Sequence, residues 1–226
     1  MIKRLNEEQS KFYYEVLYPL QDRILSLFTA ESFYLTGGTC LSRFYYKHRF
    51  SDDLDFFFDG STNPLPQFEI DFSRIIKKIQ EILFLEVTVN SSTFKRVFCK
   101  SGNINLKLEF IYEPYPRIGP VIKKENYFID TKENIAVNKI TAIYTRKTVK
   151  DYFDLYYLLK EYSLNDMLEK SEIKIIPPAY EDLIIALKET IFEGEVVTDR
   201  VYDIDDFKKF IESLMLGALD YARNIH

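Results

Sequence analysis

The sequence contains no tryptophan, two cysteines, two histidines and seven glycines among 226 residues. Cys40 and Cys99 have no metal-ligand spacing, so a structural zinc site is not indicated, and they read as reduced thiols of a cytoplasmic protein. Positive charge is also short. Thirty Lys and Arg face thirty-five Asp and Glu, a net charge of -5, so no global field draws the chain to nucleic acid or an anionic membrane. Any such partner has to meet a local patch. No apolar run approaches the ~20 residues of a membrane helix, and Met1 to Ser10 is too polar for a secretory signal. The expectation is a soluble, cytoplasmic protein without internal repeats or low-complexity tracts. What is present is a hydrophobic content of 46% with 16% aromatics, enough to fill the core of one large domain or two small ones.

Periodicity supplies the outline. Phe12, Val16, Leu17, Leu20, Ile24, Leu25 and Phe28 recur at spacings of three and four, which predicts a helix over Glu7 to Thr29. A short strand at Phe33 to Thr36, a helix at Thr39 to His48 opened by Gly37 and Gly38, and a buried strand at Leu54 to Phe58 follow. Gly60 to Pro66 is turn chemistry, and Phe68 to Leu85 returns to helical spacing. Strands are expected at Glu86 to Asn90, Phe94 to Lys100 and Ile104 to Tyr112, with a Gly-centred turn at Ser101 to Asn103. In the last strand Ile104, Leu106, Leu108 and Phe110 face one side, and Asn105, Lys107 and Glu109 the other. Glu113 to Pro120 reads as a proline-rich loop. From Thr131 the spacing is helical, broken at Pro177 and Pro178 and at Gly194. The expected fold is α+β, a mixed sheet flanked by helices, followed by an all-helical C-terminal half. The expected domains are residues 1–130 and 131–226.

The stretch LTGGTCLSRFYYKHRFSDDLDFFFDG, residues 35–60, holds the densest chemistry. On a strand, Asp53 and Asp55 leave the same face and can share a hard cation such as magnesium. Gly37 and Gly38, between a strand and a helix, would let a phosphate approach backbone N–H groups. Each feature also has a plain structural reading. Gly-Gly-Thr suits a tight turn with Thr39 as helix cap, and Asp52, Asp53 and Asp55 suit a solvated strand end. An EF-hand loop is excluded because Phe57 stands where its third acid belongs. An aspartate-nucleophile phosphatase would place its apolar strand before the acids, whereas Phe56 to Phe58 follow them.

Gly37, Gly38 and Thr39, then Leu41, then Arg49, Ser51, Asp53 and Asp55, resemble the first motif of nucleotidyltransferases of the DNA polymerase β superfamily, most closely the AbiEii/AbiGii toxin family. The stretch NKITAIYTRKTVKDYFDLYYLL resembles that family's later motif through Lys139, Arg146, Lys150, Asp151 and Asp154. The resemblance implies a nucleotidyltransferase-type fold and transfer of a nucleoside monophosphate from an NTP, with Mg2+ or Mn2+ on Asp53 and Asp55. It implies a third carboxylate on a neighbouring strand, best matched by Glu109, although pairing of Glu109 with Lys107 or Lys95 on the sheet surface is the structural alternative. It implies a face of Lys139, Arg146, Lys150, Asp151 and Asp154 that closes on the nucleotide, although Thr148 and Asp151 also fit a helix capping box. RNA, especially tRNA, is the implied acceptor, and a cognate antitoxin protein the implied partner. A kinase-like or glycosyl-transferring enzyme and a weakly catalytic nucleotide-binding module remain the rivals. Basic residues at Arg43, Lys47, His48 and Arg49, and at Lys95, Arg96 and Lys100, suit either an RNA patch or solvated faces. Tyr45, Tyr46, Tyr152, Tyr156 and Tyr157 read as core and groove lining.

Overall fold

The structure, a computed structural model, describes residues 2–30, 32–146, 148–174, 185 and 194–225. The expected break at Pro177 and Pro178 lies outside them. The chain divides into two compact units. One runs from Leu5 to Thr131; the other joins residues 2–4 to those from Lys132 onward.

In chain order the strands are β1 (Ile2–Arg4), β2 (Phe33–Thr36), β3 (Leu54–Asp59), β4 (Phe84–Asn90), β5 (Phe94–Ser101), β6 (Ile104–Glu113), β7 (Ile122–Lys124), β8 (Tyr127–Ile129) and β9 (Val196–Thr198). The helices are α1 (Glu7–Lys11), α2 (Tyr18–Leu25), α3 (Gly37–Cys40), α4 (Leu65–Gln80), α5 (Lys132–Thr145), α6 (Val149–Leu158), α7 (Leu164–Ser171) and α8 (Ile204–Ile225).

The first unit is built on a seven-stranded mixed sheet of order β4-β5-β6-β3-β2-β8-β7, in which β3 pairs parallel with β6 and β2 parallel with β8. One face is dry. Phe33 and Leu35, Leu54, Phe56 and Phe58, Leu108 and Phe110 all point to it and are buried. Phe28 stacks on Phe56 with ring centroids 3.9 Å apart and 4° between planes, and Phe72 of α4 meets Phe110 edge-on at 5.1 Å. Such pairs each add roughly 0.5–1.5 kcal/mol beyond their burial. The triple phenylalanine of β3 is thus split between faces, with Phe56 and Phe58 in the core and Phe57 half-buried opposite. The sheet has two strands more than the spacing predicts, β7 and β8. Both are three residues long, too short to show a period.

The expected helix from Glu7 ends at Leu25 and contains a π-helical segment, Phe12–Leu17, between α1 and α2. A second π-helical segment, Leu41–Tyr46, continues α3 and ends at Lys47 in the left-handed region, φ 50°. Helix α4 begins three residues earlier than Phe68, at Leu65, with Pro66 in its first turn, where the missing N–H costs nothing.

Among the described residues of the second unit the helices dominate, with one departure from an all-helical half. Strand β9 pairs parallel with β1, Ile2 opposite Val196 and Arg4 opposite Thr198. Phe153 of α6 packs against Tyr202 at 4.8 Å and against Phe207 of α8 at 5.5 Å, which ties these helices together. No helix among the described residues is long and apolar enough to cross a membrane.

Candidate active site

The open face of the first unit's sheet carries a row set by strand register. Thr36 of β2 is opposite Asp55 of β3, Asp55 is opposite Glu109 of β6, and Glu109 is opposite Arg96 of β5. Facing residues in neighbouring strands point the same way, so Asp55 and Glu109 share a face with Lys107. Asp53, two residues before Asp55, reaches the same side. Lys107 Nζ lies 2.9 Å from Asp53 Oδ2 and 3.4 Å from Glu109 Oε1. Arg96 donates to Glu109 Oε1 through Nε at 2.8 Å, with Nη2 at 2.7 Å. Burial opposes the Lys107 charge, but the neighbouring Asp53, Glu109 and Asp55 carboxylates outweigh it and raise its pKa above the ordinary lysine value.

Glu109 therefore makes the lysine pairing that the alternation allows, with Lys107 and not with Lys95. Lys95 is corrected from an exposed hairpin residue to a buried one. Its neighbour across β6 is Phe110, on the core face, and its ammonium donates to Glu69, Asn90 and the Ser91 carbonyl. Among the described residues no three Asp, Glu, His or Cys side chains stand close enough to hold a metal ion as placed. The donor chemistry nevertheless fits one. Three carboxylates share one sheet face, and an ammonium is already seated between two of them as a stand-in cation.

The glycine turn abuts this row. Gly37 has φ +69°, and a Cβ there would lie 2.9 Å from Asp55 Oδ2, so both conformation and space require glycine. The helix begins at Gly37, two residues earlier than expected, and its N-cap is Thr36 rather than Thr39. Thr36 does not cap it with its side chain. Its hydroxyl instead donates to Asp130 Oδ2 at 2.6 Å, a fully buried carboxylate that also accepts from Arg117 Nη2 at 3.0 Å and the Thr131 N–H at 2.9 Å. The diverted hydroxyl does not cap the helix start, where backbone N–H groups favour an anion. Thr39 Oγ1 bonds Ser51 Oγ at 2.7 Å and the Asp53 carbonyl, pinning the loop before β3. Arg49 is buried and donates to the Phe50 carbonyl at 3.0 Å. Burial and Asp130 push the Cys40 thiol well above its ordinary pKa, so it is no nucleophile.

The second unit gathers its own predicted residues. Lys139 of α5 is buried with Nζ 2.7 Å from Asp151 Oδ1 and 2.6 Å from Asp154 Oδ2, the two carboxylates that share a face of α6. Arg146 grips Asp151 with Nε to Oδ2 at 2.7 Å and Nη2 to Oδ1 at 3.0 Å, while its own side chain is 56% exposed. Thr148 is the N-cap of α6 without a side-chain cap bond; its hydroxyl donates to Asp151 Oδ2 instead. Lys150 is half-buried in the first turn of α6.

The motifs named most of these residues. Sequence reasoning missed Asp130 and Arg96. Thr36 and Asp130 are 94 residues apart, and nothing local marks the pair. Arg96 was visible only as one of several basic residues on β5.

A family described as "Nucleotidyl transferase AbiEii toxin, Type IV TA system" matches residues 20–223. An uncharacterized protein of Aquifex aeolicus (strain VF5) is 29% identical over 208 residues, covering 90% of this chain and 94% of that one. The crystal structure of JHP933 from Helicobacter pylori has a similar fold, with TM-score 0.59, 20% identity, and 97% and 94% of the two chains covered. MenT4, the nucleotidyltransferase toxin Rv2826c of Mycobacterium tuberculosis H37Rv, superposes with TM-score 0.62 at 16% identity over 91% and 83% of the chains.

Proposed function

The chain belongs to the AbiEii family of toxin nucleotidyltransferases, and from that premise we propose that it moves a nucleoside monophosphate from an NTP to an RNA acceptor, tRNA first among the candidates. Pyrophosphate leaves, and Mg2+ or Mn2+ is required. One observation carries the reading: Asp55 shares its register row with Glu109 and lies directly against Gly37, so a carboxylate pair and a glycine turn meet at one end of β3.

In this reading Asp53, Asp55 and Glu109 hold the metal, which would stabilise charge on the attacking and leaving oxygens. Gly37 and Gly38 receive the triphosphate at the helix start, with Thr39, Ser51 and Arg49 bracing the turn and the loop. Glu109 orients the acceptor hydroxyl, whose oxygen bonds to the α-phosphorus as the bond to the departing pyrophosphate breaks. Lys139, Arg146 and Lys150 form a second phosphate-recognising set, with Lys139 and Arg146 oriented by Asp151 and Asp154. The nucleotidyltransferase core is assigned to the unit from Leu5 to Thr131, and the basic set to the unit that joins residues 2–4 to those from Lys132 onward, so β1 departs from the expected division at residue 130. A cognate antitoxin is the partner expected for a toxin of this family.

The test is incubation with each labelled NTP, magnesium and total tRNA. Label should enter RNA, and Glu109→Gln should abolish the transfer while leaving the circular-dichroism spectrum unchanged. Label on protein or on a small molecule would assign another transfer class, and NTP binding without turnover would leave a binding module.

A further inference from the structure

The carboxylate row already contains its own cation. Three acids, Asp53, Asp55 and Glu109, face two bases, Lys107 and Arg96, so a bare metal ion meets a cluster whose net charge is -1 rather than -3. The two bases differ in kind. Arg96 places two donors on one oxygen of Glu109, a fixed planar contact. Lys107 is a point charge on a flexible stem, 27% exposed, that lies between Asp53 and Glu109. An ammonium about 3 Å from the oxygens that would ligate a divalent ion at about 2.1 Å competes with that ion for them, because two cations on the same oxygens repel each other.

We propose that Lys107 is a displaceable cation of the carboxylate site: it keeps free divalent metal out and leaves for the triphosphate when a metal–NTP complex arrives. This rests on the metal-site assignment made above. Before nucleotide binding, Lys107 neutralises Asp53 and Glu109 and holds the acids close together without a dication. When the NTP arrives it offers a second set of anionic oxygens, and the lysine stem has the length and exposure to follow them. Its charge is then transferred from the ligand oxygens to the phosphates, where it adds to binding. The consequence is coupled loading, with metal and triphosphate each raising the affinity for the other.

Electron paramagnetic resonance of Mn2+ with the full-length protein tests this, with and without a non-hydrolysable α,β-methylene NTP analogue. The wild-type protein should bind Mn2+ weakly alone and much more tightly with the analogue. Lys107→Met should bind Mn2+ alone at least ~10-fold more tightly than wild type, and the analogue should then add little. Lys107→Arg, which restores a cation, should return toward wild-type behaviour. Lys107→Gln serves as a second variant if Lys107→Met fails to fold, as judged by circular dichroism. Mn2+ affinity in Lys107→Met or Lys107→Gln equal to or weaker than wild type overturns the proposal. Asp55→Asn separates the two readings. If it leaves Mn2+ binding intact, the carboxylates are not the metal site; if it abolishes binding while Lys107→Met matches wild type, only the role of Lys107 fails.

Discussion

At the scale of single residues, two positions make opposite demands on chemistry. Gly37 needs the absence of a side chain, because of its φ of +69° and the Asp55 oxygen 2.9 Å from where a Cβ would stand. Gly37→Ala should cost about 1–3 kcal/mol in urea unfolding and should weaken NTP binding, measured by calorimetry. Asp151 needs its partners. Burial alone would raise its carboxyl, but Lys139 and Arg146, with Thr148, bring its pKa below the ordinary 3.8. A carboxylate whose pKa is lowered on folding contributes stability that is complete above its unfolded pKa and is lost as pH falls through the folded one. Unfolding midpoints between pH 6 and pH 2, about the window a carboxylate spans, should therefore fall less steeply for Asp151→Asn than for wild type. Asp151→Ala should cost roughly 1.5–3 kcal/mol at neutral pH, because the buried Lys139 ammonium loses one of its two carboxylates and keeps Asp154. The order in which these residues occur is legible in the motifs. Their partners are only partly so: alternation places Lys107 beside Glu109, but Asp130 meets Thr36 through the pairing of β8 with β2, which no local pattern encodes.

At the scale of elements, β3 links core to chemistry by alternation. Phe56 sits under Phe28 and beside Phe110 on one face, and Asp55 sits on the other, one residue away. Phe56→Ala should lose about 3–5 kcal/mol, with activity falling further than the folded fraction, whereas Phe56→Leu should lose much less of either. The second π-helical segment ends at Lys47 with φ 50°, a conformation costly for a side-chain-bearing residue. Lys47→Gly should raise the thermal midpoint, by about 1 kcal/mol in stability. Elements with five or more residues of clean period, such as β3, β5, β6 and α4, could be read from the sequence. The three-residue strands could not, because they are held by pairing rather than by their own composition, and neither could the sheet order, which depends on crossovers that bring β3 beside β6.

At the scale of the molecule, a chain of net charge -5 has to meet the proposed RNA acceptor through local clusters of cations. Binding of tRNA should then show a shallow salt dependence, with a log–log slope of magnitude about 2–4, against ~5–9 for 6–10 phosphate contacts. Residues far apart in the sequence are also joined. Residues 2–4 form the strand partner of residues 196–198, so deleting residues 1–4 should lower the thermal midpoint although no site residue is removed. That pairing has a consequence during synthesis. Residues 2–4 leave the ribosome well before residues 196–198 and wait, unpaired, for them to emerge. A nascent or truncated chain could therefore complete its carboxylate-bearing sheet long before its second unit, and carry those acids before β1 has a partner.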